Sequence, residues 1–215
     1  MIEAGTARPP QGVREWWLRT ALVLQAPRPV FAALRDDSDE AVGNRSEPVL
    51  LVVLLSGMAY VLSTATAAHL QDDHDYDAGL VAIWTFLAGS MYGIVGYFVL
   101  GAILYGGLRA LGSRGSYRRA RHVLAFAAVP IALSLVLLPV KIALFGGDLF
   151  HRGGSDAGGA GTAFAVLDGV FLAWSVVLLL IGVRTVHAWS WTRSAAAVGA
   201  AAALPAALSL LALSF

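Results

Sequence analysis

An alternation constrains this chain more than any other feature. Long apolar runs are separated by polar gaps, and thirteen of the fifteen Lys and Arg residues fall in every second gap. Arg8, Arg14, Arg19, Arg28, Arg35 and Arg45 precede the first run; Arg109, Arg114, Arg118, Arg119 and Arg121 separate the second from the third; Arg184 and Arg193 separate the fourth from the fifth. The remaining gaps hold only Arg152, with Lys141 inside the run before it. A bilayer that retains cations on one side of each crossing produces this pattern. It predicts an all-α membrane protein with five transmembrane helices, preceded by an N-terminal amphipathic interfacial helix.

Length sets the spans, because about 20 apolar residues rising 1.5 Å each cross a hydrocarbon core of roughly 30 Å. Five runs pass: 49–68, 78–108, 123–145, 162–183 and 194–215. Pro48 precedes the first, where a missing amide donor costs nothing. The second carries no charge and, at about 46 Å, must tilt or project. The third contains Pro130 and Pro139, and the fifth contains Pro205. Continuous apolar runs exclude a strand barrel, whose segments alternate. What remains is a polar segment, residues 1–47, and a five-helix domain, residues 48–215.

Orientation follows from the arginines: the N-terminus and the two arginine-bearing gaps are expected in the cytoplasm, and the C-terminus outside, at a multi-pass cell membrane. Ala, Gly and Arg abound and Lys is nearly absent, which suggests a high-GC bacterial genome and hence a bacterial inner membrane. The opening 47 residues carry six Arg and seven acids, so no secretory signal is expected there. Charged residues are 13% of the chain, against about 25% in soluble domains. Without cysteine, disulfides, thiol nucleophiles and Cys-ligated metals are excluded.

Ahead of the first span, Val13, Trp16, Trp17, Thr20, Ala21 and Leu24 share one helical face, with Arg14, Glu15 and Arg19 opposite. This predicts a helix over about 13–25, either lying in the membrane interface or packed under the bundle, with Pro27 and Pro29 ending it. Paired Trp with flanking Arg suits the interface, where anionic lipid phosphates and an amphipathic ring are both satisfied.

Three blocks carry a family resemblance. Trp16-Trp17-Leu18-Arg19, Val23-Leu24, Pro27-Arg28-Pro29 and Phe31 form the first. Leu111-Gly112-Ser113-Arg114-Gly115-Ser116-Tyr117-Arg118-Arg119, running on to Pro130, forms the second. Val186-His187-Ala188-Trp189-Ser190-Trp191 forms the third. In this order and spacing they resemble bacterial proteins of the Yip1 domain family, over nearly the whole chain from Trp16. The resemblance implies a small helical integral membrane protein with a cytosolic N-terminus; in eukaryotic relatives it also implies partners in vesicle traffic, including small GTPases. The chain lacks the Asp-Leu-Tyr-Gly-Pro element of those relatives, so GTPase binding is not carried over.

The residues also nominate sites. Gly89 and Gly93, with Gly96, and then Ala102 and Gly106 give small-xxx-small steps that let helices approach closely. Lys141 and Asp168 are charges inside spans, each about 6 to 9 Å below the outer surface, and so able to pair. Trp16, Trp17, Arg14, Arg19, Arg114, Arg118, Arg119 and Arg121 are the expected lipid or partner contacts. The segment His69 to Asp77 holds two His and four Asp, but fits no metal motif and reads as an acidic loop that enforces topology. The Gly-rich stretch 146–161 reads as a flexible outer loop.

No catalytic motif is present: there is no His-Glu-x-x-His and no Gly-x-Ser-x-Gly. Neither cofactor nor nucleic acid is expected, since the short arginine cluster abuts anionic lipid. The function expected is a non-enzymatic scaffold or adaptor organising lipids and an unidentified protein partner, a second copy included. The alternative is a small-solute or ion transporter or channel with Asp168 and Lys141 in its pathway.

Overall fold

A computed structural model describes residues 11–64, 66–72, 77–154 and 158–212, with backbone alone for Gln11, His69 and residues 204–212. Among the described residues the chain is helical, with no strand. Its helices are α1 (Gln11–Leu22), α2 (Pro27–Ala33), α3 (Asp39–Leu62), α4 (Ala78–Ala110), α5 (Tyr117–Ala127), α6 (Val129–Ser134), α7 (Leu137–Phe145), α8 (Gly159–His187) and α9 (Trp191–Ala212), with 3-10 turns at Ala67–Asp72 and Gly146–Phe150.

Among the described residues, four rods are long and apolar enough to cross a membrane: Asp39–Leu62, Ala78–Ala110, Tyr117–Phe150 taken as one broken rod, and Gly159–His187. The fifth expected crossing falls on α9, whose side chains from Leu204 onward, with residues 213–215, lie outside the described residues.

The first rod begins nine residues before Pro48. Ser38 caps it, its hydroxyl accepting from the Ala41 amide at 3.3 Å, and Asp39 and Glu40 complement the helix dipole in the first turn. Pro48 therefore lies inside α3, and the rod ends at Leu62, short of the expected 68. Asp77 caps α4 and Ser116 caps α5 in the same way, accepting from the Leu80 and Arg119 amides at 2.8 and 3.0 Å. The third rod breaks twice, after Ala127 and after Ser134. Pro130 and Pro139 remove amide donors there, and each ring crowds the preceding turn. α8 starts at Gly159, inside the stretch expected to be loop, and closes on Ala188 at φ 54°, with the Trp189 amide donating to the Arg184 carbonyl at 3.2 Å.

The buried core lies at the arginine-rich end. Trp16, Val23, Val30, Phe31, Leu34, Val123, Phe126, Leu178 and Val183 pack there, so α1 and α2 fold beneath α3, α5 and α8. The two short helices thus close that end of the bundle. At the acidic end α7 has no buried residue.

Candidate functional site

At the arginine-rich end, Arg45 is completely buried and its guanidinium has three partners. Nε donates to His122 Nδ1 at 2.9 Å, Nη1 to the Asp36 carbonyl at 2.8 Å and Nη2 to Asp37 Oδ1 at 3.2 Å, while the Trp16 ring lies 5.5 Å away. Asp37 also binds Arg118 Nε at 3.3 Å and accepts from the Ser116 hydroxyl, and Arg119 stands 3.9 Å off. Arg118 continues to Asp39 at 2.8 Å, and Arg119 donates to the Arg35 carbonyl at 2.8 Å. Desolvating a guanidinium costs several kcal/mol unless its donors are matched, and here the fork is matched on every side. The Ser38 amide, donating at 3.0 Å, and the Ser38 hydroxyl hold the Asp36 carboxyl below its usual range.

These contacts correct several expectations. Trp16 is buried against Phe126, with ring centroids 5.5 Å apart, and does not reach lipid. The exposed apolar side of α1 is instead Trp17, Leu18 and Leu22, so Thr20 and Leu24 do not share a lipid face with Trp17. Arg118 and Arg119 are turned inward to the Asp37 network. Arg121 lies over Tyr97, Phe98 and Tyr117 at 4.5 to 5.0 Å from the ring centroids, its stem seated against Gly101. Arg19 pairs with Glu15 and stacks on Trp16, leaving Arg14 and Arg114 exposed. His122, Arg45 and Asp37, which make the centre of this network, had no motif to announce them. The available signal was a His directly ahead of an apolar run and an Arg three residues before Pro48.

The glycines divide. A Cβ on Gly57 would stand 2.1 Å from the Gly89 carbonyl oxygen and 2.5 Å from the Gly93 nitrogen, so α3 and α4 touch backbone to backbone. Gly96 and Gly106 meet nothing within 4 Å, and Ala102 is exposed. Among the described residues the second small-residue step therefore packs against no helix. Gly107 does, against Ala197 and Ala201 of α9.

At the acidic end a cavity of about 1000 Å³ opens between α3, α4, α6, α7 and α8. Its wall is mainly apolar and aromatic, including Tyr60, Tyr92 and Phe164. On that wall Lys141 Nζ donates to Asp168 Oδ2 at 2.9 Å, with the Phe164 ring 5.5 Å from the ammonium. Both side chains remain partly open, at 24% and 32%.

The acidic loop turns its described carboxylates to structural work. Asp72 accepts from the Arg152 amide at 2.9 Å and lies 3.4 Å from His151, and Asp77 caps α4. The Arg152 amide, the largest cause, holds the Asp72 carboxyl below its usual value. No group of three metal-binding side chains occurs among the described residues; Asp73, His74, Asp75 and Tyr76 lie outside them.

Several apolar rods of membrane-spanning length, closed at one end by arginine-rich helices, define a multi-pass helical membrane protein. The Yip1 domain matches residues 21–214, and the chain belongs to that family. No curated protein and no solved structure matches it.

Proposed function

We propose that this chain is a non-enzymatic membrane scaffold of Yip1 type whose arginine-rich end, in the cytoplasm, is a fixed platform for protein and lipid partners. The supporting observation is the Arg45–Asp37–His122 network, which ties α1, α2, α3 and α5 into one body while Trp17, Leu18 and Leu22 stay exposed on α1. A surface held so firmly loses little conformational entropy on contact, which favours docking. With α9 as a fifth crossing, the C-terminus lies outside. The test is a photo-crosslinking residue at Leu18 in native membranes: a discrete protein or lipid adduct that disappears with Trp17→Asp is expected. Adducts unaffected by that change would remove the platform role.

A transporter is the second reading, favoured by the placement of Lys141 and Asp168 on a cavity wall. Against it stands the packed core at the arginine-rich end. Solute flux into proteoliposomes that vanishes with Asp168→Ala would replace the scaffold reading with this one.

A further inference from the structure

A second, smaller concavity lies at the arginine-rich end, away from the Arg45 network. It holds about 360 Å³ and is lined by Arg28, Arg35, Arg184, Thr185, Ala188 and Trp189. Arg28 comes from α2, Arg35 from the turn after it and Arg184 from the last turn of α8, so three guanidiniums from separate turns face one small space. Among the described residues no carboxylate lines it. The nearest acids in sequence are engaged elsewhere: Asp36 accepts from the Ser38 amide, Asp37 binds Arg45 and Arg118, and Asp39 binds Arg118.

Three cations around an acid-free pocket repel one another unless an anion joins them. Arg184 Nε is enclosed and has no hydrogen-bond partner, although its guanidinium carbon lies 4.7 Å from the Trp191 ring. No hydrogen bond occupies its Nη donors among the described residues, so the guanidinium keeps its charge and those donors to offer an anion in the pocket. Arg28 forms no hydrogen bond or ion pair among the described residues, and Arg35 spends one donor on the Thr185 carbonyl, which fixes its position at the rim. Planar guanidinium forks match the oxygens of a phosphate two at a time. The flanking Trp189 and Trp191 are residues suited to the depth at which lipid phosphates lie.

We propose that Arg28, Arg35 and Arg184 form a site for a phosphate-bearing group, supplied by the headgroup of an anionic phospholipid in the adjacent leaflet. This deepens the reading of the arginine-rich end as a lipid-contacting platform, and its test requires no protein partner. Arg35 orients the pocket through Thr185, while Arg28 and Arg184 supply the free donors.

The experiment uses the full chain in nanodiscs of phosphatidylcholine alone or with phosphatidylglycerol, released into the mass spectrometer so that retained lipids are counted. Wild type is expected to keep one phosphatidylglycerol, and Arg28→Gln with Arg184→Gln to lower its retention at least tenfold with an unchanged melting temperature. Arg109→Gln, a change at an exposed arginine outside the pocket, is expected to retain the lipid as wild type does. A second arm titrates inorganic phosphate by calorimetry into phosphatidylcholine nanodiscs: binding there that the double variant abolishes keeps the site but assigns it a soluble source. Equal retention of both lipids, together with no phosphate binding, overturns the proposal. Equal loss in the Arg109 variant also overturns it, because surface charge alone would then account for the lipid.

Discussion

The two ends of the bundle solve the same problem, charge next to hydrocarbon, in opposite ways. At the arginine-rich end Arg45 is buried without exposure, each of its guanidinium nitrogens is matched by His122, Asp36 or Asp37, and the Trp16 ring lies beside it. At the acidic end Lys141 and Asp168 have mainly each other, on the wall of a cavity, and α7 buries nothing. A saturated network restricts its helices to one arrangement, whereas a single half-open pair leaves space for a ligand or for motion. The end expected to meet partners is therefore the rigid one, and the end with capacity for a small molecule is the loose one.

The comparison breaks first at Arg45. Arg45→Ala leaves His122 Nδ1 and the Asp36 carbonyl without their donor beside a void, though Asp37 keeps Arg118 and Ser116, and should cost about 4 kcal/mol. Arg45→Lys should recover only a minor part, since an ammonium cannot reach three acceptors set for a fork. Melting in detergent micelles measures both; a wild-type melting temperature for either variant would show that apolar packing alone closes this end.

Next in size is the contact between α3 and α4 at the cavity border. Gly57→Leu drives a side chain into the Gly89 carbonyl and should cost about 3 kcal/mol, while Gly96→Ala, facing open space, should gain up to about 1 kcal/mol from helix propensity. Equal effects at the two positions would mean that the helices can separate freely there. The glycines also show what a sequence can and cannot disclose. Gly89-x-x-x-Gly93 and Ala102-x-x-x-Gly106 are the same pattern, yet only the first packs, because Gly57 on another helix happens to stand opposite. Spacing reports which face is small; it does not report which face has a neighbour.

The same limit explains the charges. The four rods and the opposition of arginine-rich to acidic gaps were legible, because both depend on local composition and on the bilayer. Lys141 and Asp168 could be brought to one depth by counting residues from helix ends. Arg45 and His122, 77 positions apart, could not, since their meeting depends on the rotation of two helices about their axes. Trp16 and Trp17 looked equivalent as interface anchors, but a helix turns neighbours by about 100°, and only Trp17 remains outward. Arg118, Arg119 and Arg121 read as a lipid-facing patch because their acceptors, Asp37, the Arg35 carbonyl and the rings of Tyr97 and Phe98, lie on other elements.

A smaller effect, about 1 to 2 kcal/mol, is expected for Asp168→Asn, because both partners are partly open and the ammonium can turn toward the aqueous face. Combining it with Lys141→Met should return part of the loss, and a coupling of at least about 0.5 kcal/mol in that cycle would establish the pair as a tether for α7. Additive losses would leave Phe145 against Phe164 as the contact that tethers α7 to α8.

The smallest effect belongs to Asp72, where the acidic end joins its two 3-10 turns. Its folded carboxyl titrates below the ordinary 3.8, chiefly because the Arg152 amide donates to the charged form. A depressed carboxyl contributes its stabilisation in full above the unfolded value and loses it as pH falls through the folded one. The part of the contact between Ala67–Asp72 and the 146–154 segment that rests on the ionised Asp72 and the Arg152 amide should therefore weaken below about pH 4. Asp72→Asn should remove that acid dependence while leaving the arginine-rich end unchanged. Hydrogen exchange of amides 146–154 against those of α5, followed between pH 3 and 7, separates the two: faster exchange in α5 at low pH in step with the loop would show that the ends are coupled, and the contrast between a fixed end and a loose one would then fail.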